Sequence, residues 1–393
     1  MGYRQEHGTS RIDTDRSCRT RGPLRHGTVA GVLALIVSLA TVGTLSGSAV
    51  AGTTFLGGVG TVSTVASTVP GNGDVNPYGV VVVPTSAGRL VAGDVLVSNF
   101  NNRSNAQGTG TTIVAISPGG ARKMFAHIDP KGPAARACGG VGLTTALAVF
   151  RKGFVVVGSL PSTDGTSATA TAGCLFVLDR NGRVVRVIRD KKINGPWDMT
   201  AVDHGDEAAL FVTNVLNGTV AAAGNVVNRG TVVRITLSLD DHQAPDVTDE
   251  TIIGSGFAER TDPAALVVGP TGAALASDGT LYVADTASNR IAAIPNALER
   301  EHSALTGVDV SANGALNGPL GVVLAPNGDI LSVNAGDGNI VEMTPSGAQV
   351  ATMMLDSSGD PPGSGALFGL AVAPDGSSLY FVDDATNTLD LLH

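Results

Sequence analysis

Six runs of small and branched apolar residues recur along the chain, and all except the run at 145–149 begin at or beside a Gly, a Pro or an aromatic residue. They occupy residues 78–83, 145–149, 197–202, 272–275, 320–324 and 368–372. Continuous apolar runs of this length are typical of strands that are buried on both faces. In the clearest copies the next turn contains Asn-Gly or Asp-Gly, at 277–279, 326–328 and 374–376. These pairs supply the positive φ that tight hairpins need.

A second strand follows each turn and ends in Asp or Asn in five of the six copies. The strand ends are predicted at Asn99, Ser159, Asn214, Asp285, Asn334 and Asp383. In the better copies a third strand leaves after a turn in which Asn289 or Asn387 suits a left-handed backbone. The side chains of Asp285 and Asp383 are expected to cap the same turns.

A spacing of about 50 to 70 residues is the length of one blade of a β-propeller. The sequence therefore predicts an all-β, six-bladed propeller over residues 61–393, with the six apolar runs as its innermost strands. The last copy lacks a fourth strand, and residues 61–69 have strand composition without a blade of their own. We predict that 61–69 complete the last blade. Exposed irregular loops are expected at 123–133, 163–172 and 240–261.

Residues 281–291, Leu-Tyr-Val-Ala-Asp-Thr-Ala-Ser-Asn-Arg-Ile, resemble the NHL repeat, and residues 316–341 and 366–391 match it more loosely. The resemblance implies an exported bacterial protein with a six-bladed NHL-type propeller. Its relatives would be the SMP-30/gluconolactonase-like and strictosidine-synthase-like propellers. Activities in those families are unrelated to one another, so the resemblance predicts the fold and leaves the function open.

The first 51 residues differ in character from the rest. Several arginines precede an apolar run at 28–45, and small residues ending in Ala49-Val50-Ala51 follow it. This order is that of a secretory signal peptide. The apolar run is also close to the shortest that spans a bilayer, so an uncleaved N-terminal membrane anchor is the alternative. Residues 52–60 would be a linker, and the body would be secreted or extracytoplasmic.

Charge and cysteine content extend this prediction. Of 25 Lys and Arg and 34 Asp and Glu, residues 1–51 hold 6 and 3, so residues 52–393 carry 19 against 31, a net charge of −12. Such a body is expected to be monomeric and to repel nucleic acid and anionic lipid. Outside the leader only Cys138 and Cys174 remain, and an oxidising compartment favours a disulfide between them. Two separate buried thiols are the alternative.

No catalytic motif stands out, since no two His share a metal-binding spacing and no nucleophilic Ser has a credible partner. We therefore assign no catalytic residue. Residues just before each innermost strand should surround one mouth of the central channel. The candidate ligand-binding residues are Asn76, Tyr78, Asn194, Trp197, Asp198, Asn317 and Phe368. The aromatic members could stack on a sugar or a peptide; the alternative is packing between blades.

Lactonase-like propellers hold a Ca²⁺ or Zn²⁺ ion at this mouth, and the resemblance makes Asp198 a weak metal ligand for a possible Ca²⁺. Residues 52–100 contain no Glu to match the family's N-terminal ligand. Capping of a turn is the alternative role for Asp198. The loop carboxylates are expected to form a solvated surface; they are Asp337, Asp356, Asp360, Asp383 and Asp384.

Two functions follow from these observations. The leading hypothesis is a binding or scaffold module that presents one face to a protein, peptide or glycan ligand. The alternative is a metal-dependent hydrolase or lyase with its site at the channel mouth around Asp198. An extracellular sensor tethered by residues 28–45 is a third possibility.

Overall fold

The computed structural model describes residues 53–240 and 243–393. Residues 52–393 form one compact unit. The predicted leader, 1–51, lies outside the described residues. In the part of the chain that is described, no helix has the length and apolar character needed to cross a bilayer.

Six antiparallel sheets follow one another along the chain. Blade 1 contains β2 to β5 (Val75–Val82, Val95–Asn101, Thr112–Ile116, Arg122–His127). Blade 2 contains β6 to β9 (Leu143–Val149, Val155–Ser159, Cys174–Leu178, Val184–Ile188). Blade 3 contains β10 to β14 (Pro196–Asp203, Glu207–Asn214, Val227–Ser238, Asp246–Asp262, Leu266–Val268).

The remaining blades have four strands each. Blade 4 contains β15 to β18 (Pro270–Leu275, Leu281–Asp285, Arg290–Ile294, Val308–Ala312). Blade 5 contains β19 to β22 (Pro319–Leu324, Ile330–Asn334, Asn339–Met343, Gln349–Met354). Blade 6 contains β23 to β25 and β1 (Leu367–Val372, Leu379–Asp383, Thr388–Leu392, Val62–Ser67). Two short helices, α1 (Pro133–Cys138) and α2 (Thr219–Ala222), lie in loops.

The first strands of the six blades form the inner ring of the molecule. Each contacts the first strand of the blade before and after it, and β23 contacts β2, which closes the ring. At Gly321 and Gly369 an added Cβ would lie 2.1 and 2.4 Å from a carbonyl oxygen of the next blade. Only glycine permits so close an approach. The predicted six-bladed propeller is confirmed.

Strand β1 closes the ring as predicted. It pairs antiparallel with β25 from Val62 opposite Leu392 to Ser67 opposite Thr388. The segment before it, predicted as a linker, lies against blade 5. There the buried carboxylate of Glu342 accepts hydrogen bonds from the backbone N–H groups of Phe55 (2.6 Å) and Leu56 (2.8 Å).

The turns that follow the second strands also match the sequence. Asn289 and Asn387 both have the left-handed backbone that was expected, with φ of 51° and 55°. Their side-chain oxygens accept hydrogen bonds from the backbone N–H groups of Gly318 and Asn76, which belong to the next blade around the ring. These asparagines therefore link neighbouring blades as well as shaping their own turns.

Blade 3 corrects one prediction. An exposed loop was expected at 240–261, but most of it belongs to the 17-residue strand β13, Asp246–Asp262, which pairs with β12. Ile253 and Phe257 are fully buried in the layer between blades 3 and 4. Apolar side chains pack the other junctions between blades in the same way. Residues 163–172 are irregular as expected, whereas much of 123–133 belongs to β5.

The disulfide prediction is confirmed, since Cys138 and Cys174 are bonded. The bond joins the end of α1 to the start of β8 on blade 2. It closes a loop of 36 residues that includes the first two strands of that blade.

Candidate functional site

A cavity of about 500 Å³ opens at the end of the ring where the first strands begin. Four of the predicted ligand-binding residues line it: Asn76, Trp197, Asn317 and Phe368. The turns after the second strands supply further lining residues, among them Thr286, Ala335 and Asp384. The strand starts and the neighbouring turns meet here because both lie at the same end of every blade.

Aromatic side chains form the floor of this cavity. Trp197 and Phe368 line it, and Tyr78 packs beside both, with ring centroids 5.7 Å from Trp197 and 4.2 Å from Phe368. Tyr78 also stacks on Phe100 at 4.5 Å. Tyr78, Trp197 and Phe368 stand at equivalent places in their blades, and all three are nearly buried. They therefore pack between blades, and Trp197 and Phe368 also line the cavity.

Asp198 lies beneath this aromatic layer. With Trp197 and Phe368 it borders a small void that has no room for a water molecule. Its Oδ1 accepts a hydrogen bond from the backbone N–H of Met199 at 2.8 Å. Burial raises the pKa of Asp198 well above its usual value, although backbone hydrogen bonds oppose this. Its geometry is that of a buried, internally bonded carboxyl group, and a metal-binding role stays a prediction.

Asn194 does not line the cavity. Its Nδ2 donates to Oδ1 of Asn217 at 2.6 Å, and the backbone N–H of Asn217 donates to Glu259 at 3.0 Å. Glu259 is fully buried, and burial raises its pKa to about 7. The sequence did not single out Glu259, because the strand that carries it was expected to be a loop.

Asp384 is a carboxylate that lines the cavity. It follows β24 directly and is half-buried. Burial, with a smaller contribution from the neighbouring Asp383, raises its pKa to about 7. The charge of Asp384 in turn adds to the effect of burial in raising the pKa of Tyr78. Within residues 53–240 and 243–393, no group donates a hydrogen bond to this carboxylate.

The expectation of a solvated acidic surface is therefore wrong for two of its members. Asp383 is buried and its Oδ1 accepts a hydrogen bond from the backbone N–H of Thr386 at 3.2 Å, as predicted for a turn cap. Asp384 faces the cavity instead. The sequence did contain a signal for the position of Asp384. Two adjacent carboxylates, Asp383 and Asp384, lie at the end of the strand, and only one of them can cap the turn.

Ion pairs and amide contacts hold the cavity rim. Arg260 donates to Asp262 at 2.8 Å, and both residues line the cavity. Asn317 donates from Nδ2 to Asp337 at 2.9 Å. These partners satisfy each other, so Asp384 is the lining carboxylate that stays available to a ligand.

A resident metal ion fits these residues poorly. A calcium ion takes six to eight oxygen ligands, several of them carboxylates. Among the residues that the structure describes, no group of three or more His, Cys, Asp or Glu is placed to hold a metal. Asp384 and Asp198 lie on opposite sides of the aromatic layer. We therefore derive no chemical step from a metal ion.

Comparison with known proteins gives similarity in structure only. No protein-family model matches the chain, and no curated protein sequence matches it. A luciferin-regenerating enzyme shares 11% identity with it at a TM-score of 0.54, over 84% of this chain and 94% of that protein. A gluconolactonase from Xanthomonas campestris shares 14% at 0.52, over 84% and 88%.

A calcium-binding protein, regucalcin, from Agrobacterium tumefaciens shares 14% identity at a TM-score of 0.50, over 83% of this chain and 92% of that one. At such identities the likeness establishes the fold, and the NHL-repeat resemblance stays a prediction. The chain thus has the six-bladed β-propeller fold of the SMP-30/gluconolactonase-like proteins.

Proposed function

We propose that this protein is a hydrolase that opens a small lactone or ester at the channel mouth, with Asp384 as its general base. The observation that carries the proposal is a carboxylate in a cavity of about 500 Å³ that has a pKa of about 7 and no hydrogen-bond donor among the described residues. A base with a pKa near the working pH is efficient at removing a proton. Perturbed carboxyl groups in clefts mark functional sites.

The cavity suits such a substrate. Trp197, Phe368 and Leu320 offer an apolar floor on which a ring can lie. In the deprotonated form, Asp384 would accept a proton from a water molecule as that water attacks the carbonyl carbon of the substrate. The bond between the carbonyl carbon and the ring or alcohol oxygen would then break, and Asp384 would return the proton to that leaving oxygen. A lactone would give one hydroxy acid and an ester an acid and an alcohol, which would leave through the open mouth. The gluconolactonase with the same fold supports this class of reaction by analogy alone.

The test compares the full-length wild type with Asp384→Asn in a screen of lactones and aryl esters. We expect the variant to lose at least about a hundredfold in kcat/KM, which is the lower range for a general base. In the wild type, kcat/KM should rise with pH through about 7, since the base acts only when deprotonated.

Glu301→Gln is the matched control, because Glu301 is an exposed carboxylate on blade 4 outside the cavity. It should leave kcat/KM unchanged. Equal activity in wild type and Asp384→Asn would refute the assignment of Asp384, and inactivity of the wild type on every substrate would refute the hydrolase proposal.

A binding module for a peptide or glycan is the second candidate. The rings of Trp197 and Phe368 at the cavity floor favour it, since aromatic faces stack on sugars and apolar side chains. Calorimetry with an oligosaccharide and peptide panel would test it, and Trp197→Ala should abolish any binding at this mouth. Failure of that variant to weaken an observed interaction would exclude the cavity as its site.

We also propose that the body works outside the cytoplasm as a monomer. The disulfide between Cys138 and Cys174 supports this location, because such bonds persist in oxidising compartments. Fractionation of cells that produce the full chain, followed by N-terminal sequencing of the body, would test both export and cleavage near Ala51. A reduced, uncleaved protein in the cytoplasm would contradict the proposal.

A further inference from the structure

Charge is divided unequally between two parts of the ring. Residues 53–192, which contain blades 1 and 2, carry 14 Lys and Arg against 6 Asp and Glu. Residues 193–393, which contain blades 3 to 5 and most of blade 6, carry 5 against 25. The net charge of the body therefore conceals a basic part of net charge +8 beside an acidic part of net charge −20.

Three arginines of the basic part bond to backbone carbonyls, whereas Arg186 forms a salt bridge with Asp246 of blade 3. Arg122 donates to the carbonyl of Ser67 at 2.9 Å, and Arg189 donates to that of Ala137 at 3.1 Å. Arg89 donates to the carbonyls of Met124 in blade 1 and Asn181 in blade 2. Among the described residues, none of these three forms a salt bridge with a carboxylate. Their positive charges are therefore available to an external anion.

A groove runs between these blades beside Arg89. It has a volume of about 560 Å³ and lies between β5 of blade 1 and the turn that joins β8 to β9 in blade 2. Arg89, His127 and Arg183 line it, together with Asn181 and the backbone of Gly182. No lining residue is acidic.

Further exposed cations flank the groove. Arg122 and Lys123 begin β5, and Arg180 lies in the turn on the other side. The acidic residue of that turn, Asp179, accepts hydrogen bonds from the backbone N–H groups of Asn181 and Arg183. Its carboxylate is thus engaged within its own turn. The groove and its flanks form a positively charged strip along the rim of the ring.

We propose that this groove binds a linear polyanion with repeated phosphate groups, independently of the channel mouth. Guanidinium groups match phosphate oxygens in geometry and charge, and a row of cations selects a chain over a single ion because several contacts form together. The acidic blades would repel the same chain, which agrees with the repulsion of phosphates expected from the net charge. The polyanion is therefore confined to the side of blades 1 and 2.

A second copy of this protein could also occupy the groove, because its acidic part has a charge opposite to that of the groove. Several observations favour the polyanion. The site is a concave groove, whereas many acidic residues of blades 3 to 6 lie in turns. Two copies that each carry a net charge of −12 also repel each other at a distance. A narrow chain avoids both obstacles.

The experiment measures binding of the full chain to long-chain inorganic polyphosphate across a range of salt concentrations. The test variant is Lys123→Gln with Arg183→Gln, whose side chains donate no hydrogen bond within the described residues. We expect its affinity to fall about tenfold and the salt dependence of log K to decrease by about two, one for each lost phosphate contact. Arg89→Gln is a second variant, with circular dichroism to confirm folding.

Arg103→Gln with Lys131→Gln is the matched control. Both residues are exposed and belong to loops of blade 1 at the end of the ring opposite the groove. The control removes two positive charges, as the test variant does. This control should bind polyphosphate like the wild type. Equal weakening in both double variants would overturn the proposal, as would no binding by the wild type.

Two further measurements separate the other occupants. Sedimentation without polyphosphate should show a monomer, and self-association that Lys123→Gln with Arg183→Gln removes would assign the groove to a second copy instead. Monophosphate should compete only at far higher concentration than polyphosphate. Tighter binding to phosphatidylglycerol vesicles than to polyphosphate would also overturn the proposal.

Discussion

Arginines serve different purposes in the two charged parts of this ring. On blades 3 and 4, Arg234, Arg260 and Arg290 each form a salt bridge with a carboxylate. On blades 1 and 2, Arg89, Arg122 and Arg189 bond to backbone carbonyls, and Arg186 is the exception that pairs with Asp246 of blade 3. The first group neutralises carboxylates of the protein itself. The second group keeps a positive charge that an external anion can contact. The same residue type thus neutralises carboxylates in one part of the fold and carries uncompensated charge in the other.

The strongest test of this comparison is Arg290→Met. Nε of Arg290 lies 2.8 Å from Oδ2 of Asp285, whose side chain is 1% exposed. Removing the cation leaves a buried carboxylate without compensation, so we expect a loss of about 3–5 kcal/mol in the free energy of unfolding. Urea denaturation measures it. Arg300→Met, at a half-buried arginine of the same blade that bonds to the carbonyl of Pro295, is the control, and a loss below about 1 kcal/mol for Arg290→Met would contradict the comparison.

The next effect belongs to the basic part. Replacing both Cys138 and Cys174 with Ser should lower the free energy of unfolding by about 3 kcal/mol, because a bond that closes a 36-residue loop restricts the unfolded chain. Thermal denaturation of oxidised wild type, reduced wild type and the double variant gives the measurement. If reduced wild type and the double variant have the same melting temperature, the loss of stability is due to the disulfide. A melting temperature equal to that of the oxidised wild type would show that the disulfide contributes nothing.

A pH effect is expected from the acidic part. Asp384 and Glu259 have pKa values of about 7 in the folded protein, above their usual 3.8 and 4.5. The folded state then holds more protons than the unfolded state between those limits. The free energy of unfolding should fall as pH rises from about 4.5 to 7, by at most about 1.4 kcal/mol per pH unit for each group.

Asp384→Asn and Glu259→Gln should each reduce this slope, while Glu301→Gln should not. Denaturation at several pH values provides the measurement. A wild-type stability that rises across the same interval would show that other carboxylates dominate.

The smallest effect concerns Arg89→Met, which removes two hydrogen bonds to carbonyls and strands no carboxylate. We expect a loss of about 1 kcal/mol. Its comparison with Arg290→Met under the same conditions sharpens the contrast between the two parts. A loss as large as that of Arg290→Met would mean that Arg89 is chiefly a structural residue of the blade junction.

Much of the fold was predictable because its signals are local. The Asp or Asn at each strand end and the left-handed Asn289 and Asn387 act on turns a few residues away, so the sequence displays them directly. Strand β13 was missed because the acidic residues Asp249, Glu250 and Glu259 obscure its apolar positions. Its burial depends on packing against blade 4, which no local pattern reveals.

The site was only partly predictable for a similar reason. Four residues at the channel mouth followed from the symmetry of the repeat. Asp384 did not, because its perturbed pKa arises from burial created by several blades together. The sequence also contains the difference in charge between blades 1 and 2 and the other blades. Because only one net charge was calculated for the whole body, that difference was not seen.

Strand β1 comes from the beginning of the body and pairs with β25, near the other end of the chain. While the polypeptide is being synthesised, β1 must wait for its partner strand. Until then blade 6 has an unpaired edge that can recruit chaperones or proteases. Closure of the ring therefore comes after β25 has been made, and a product truncated before β25 would stay open to degradation.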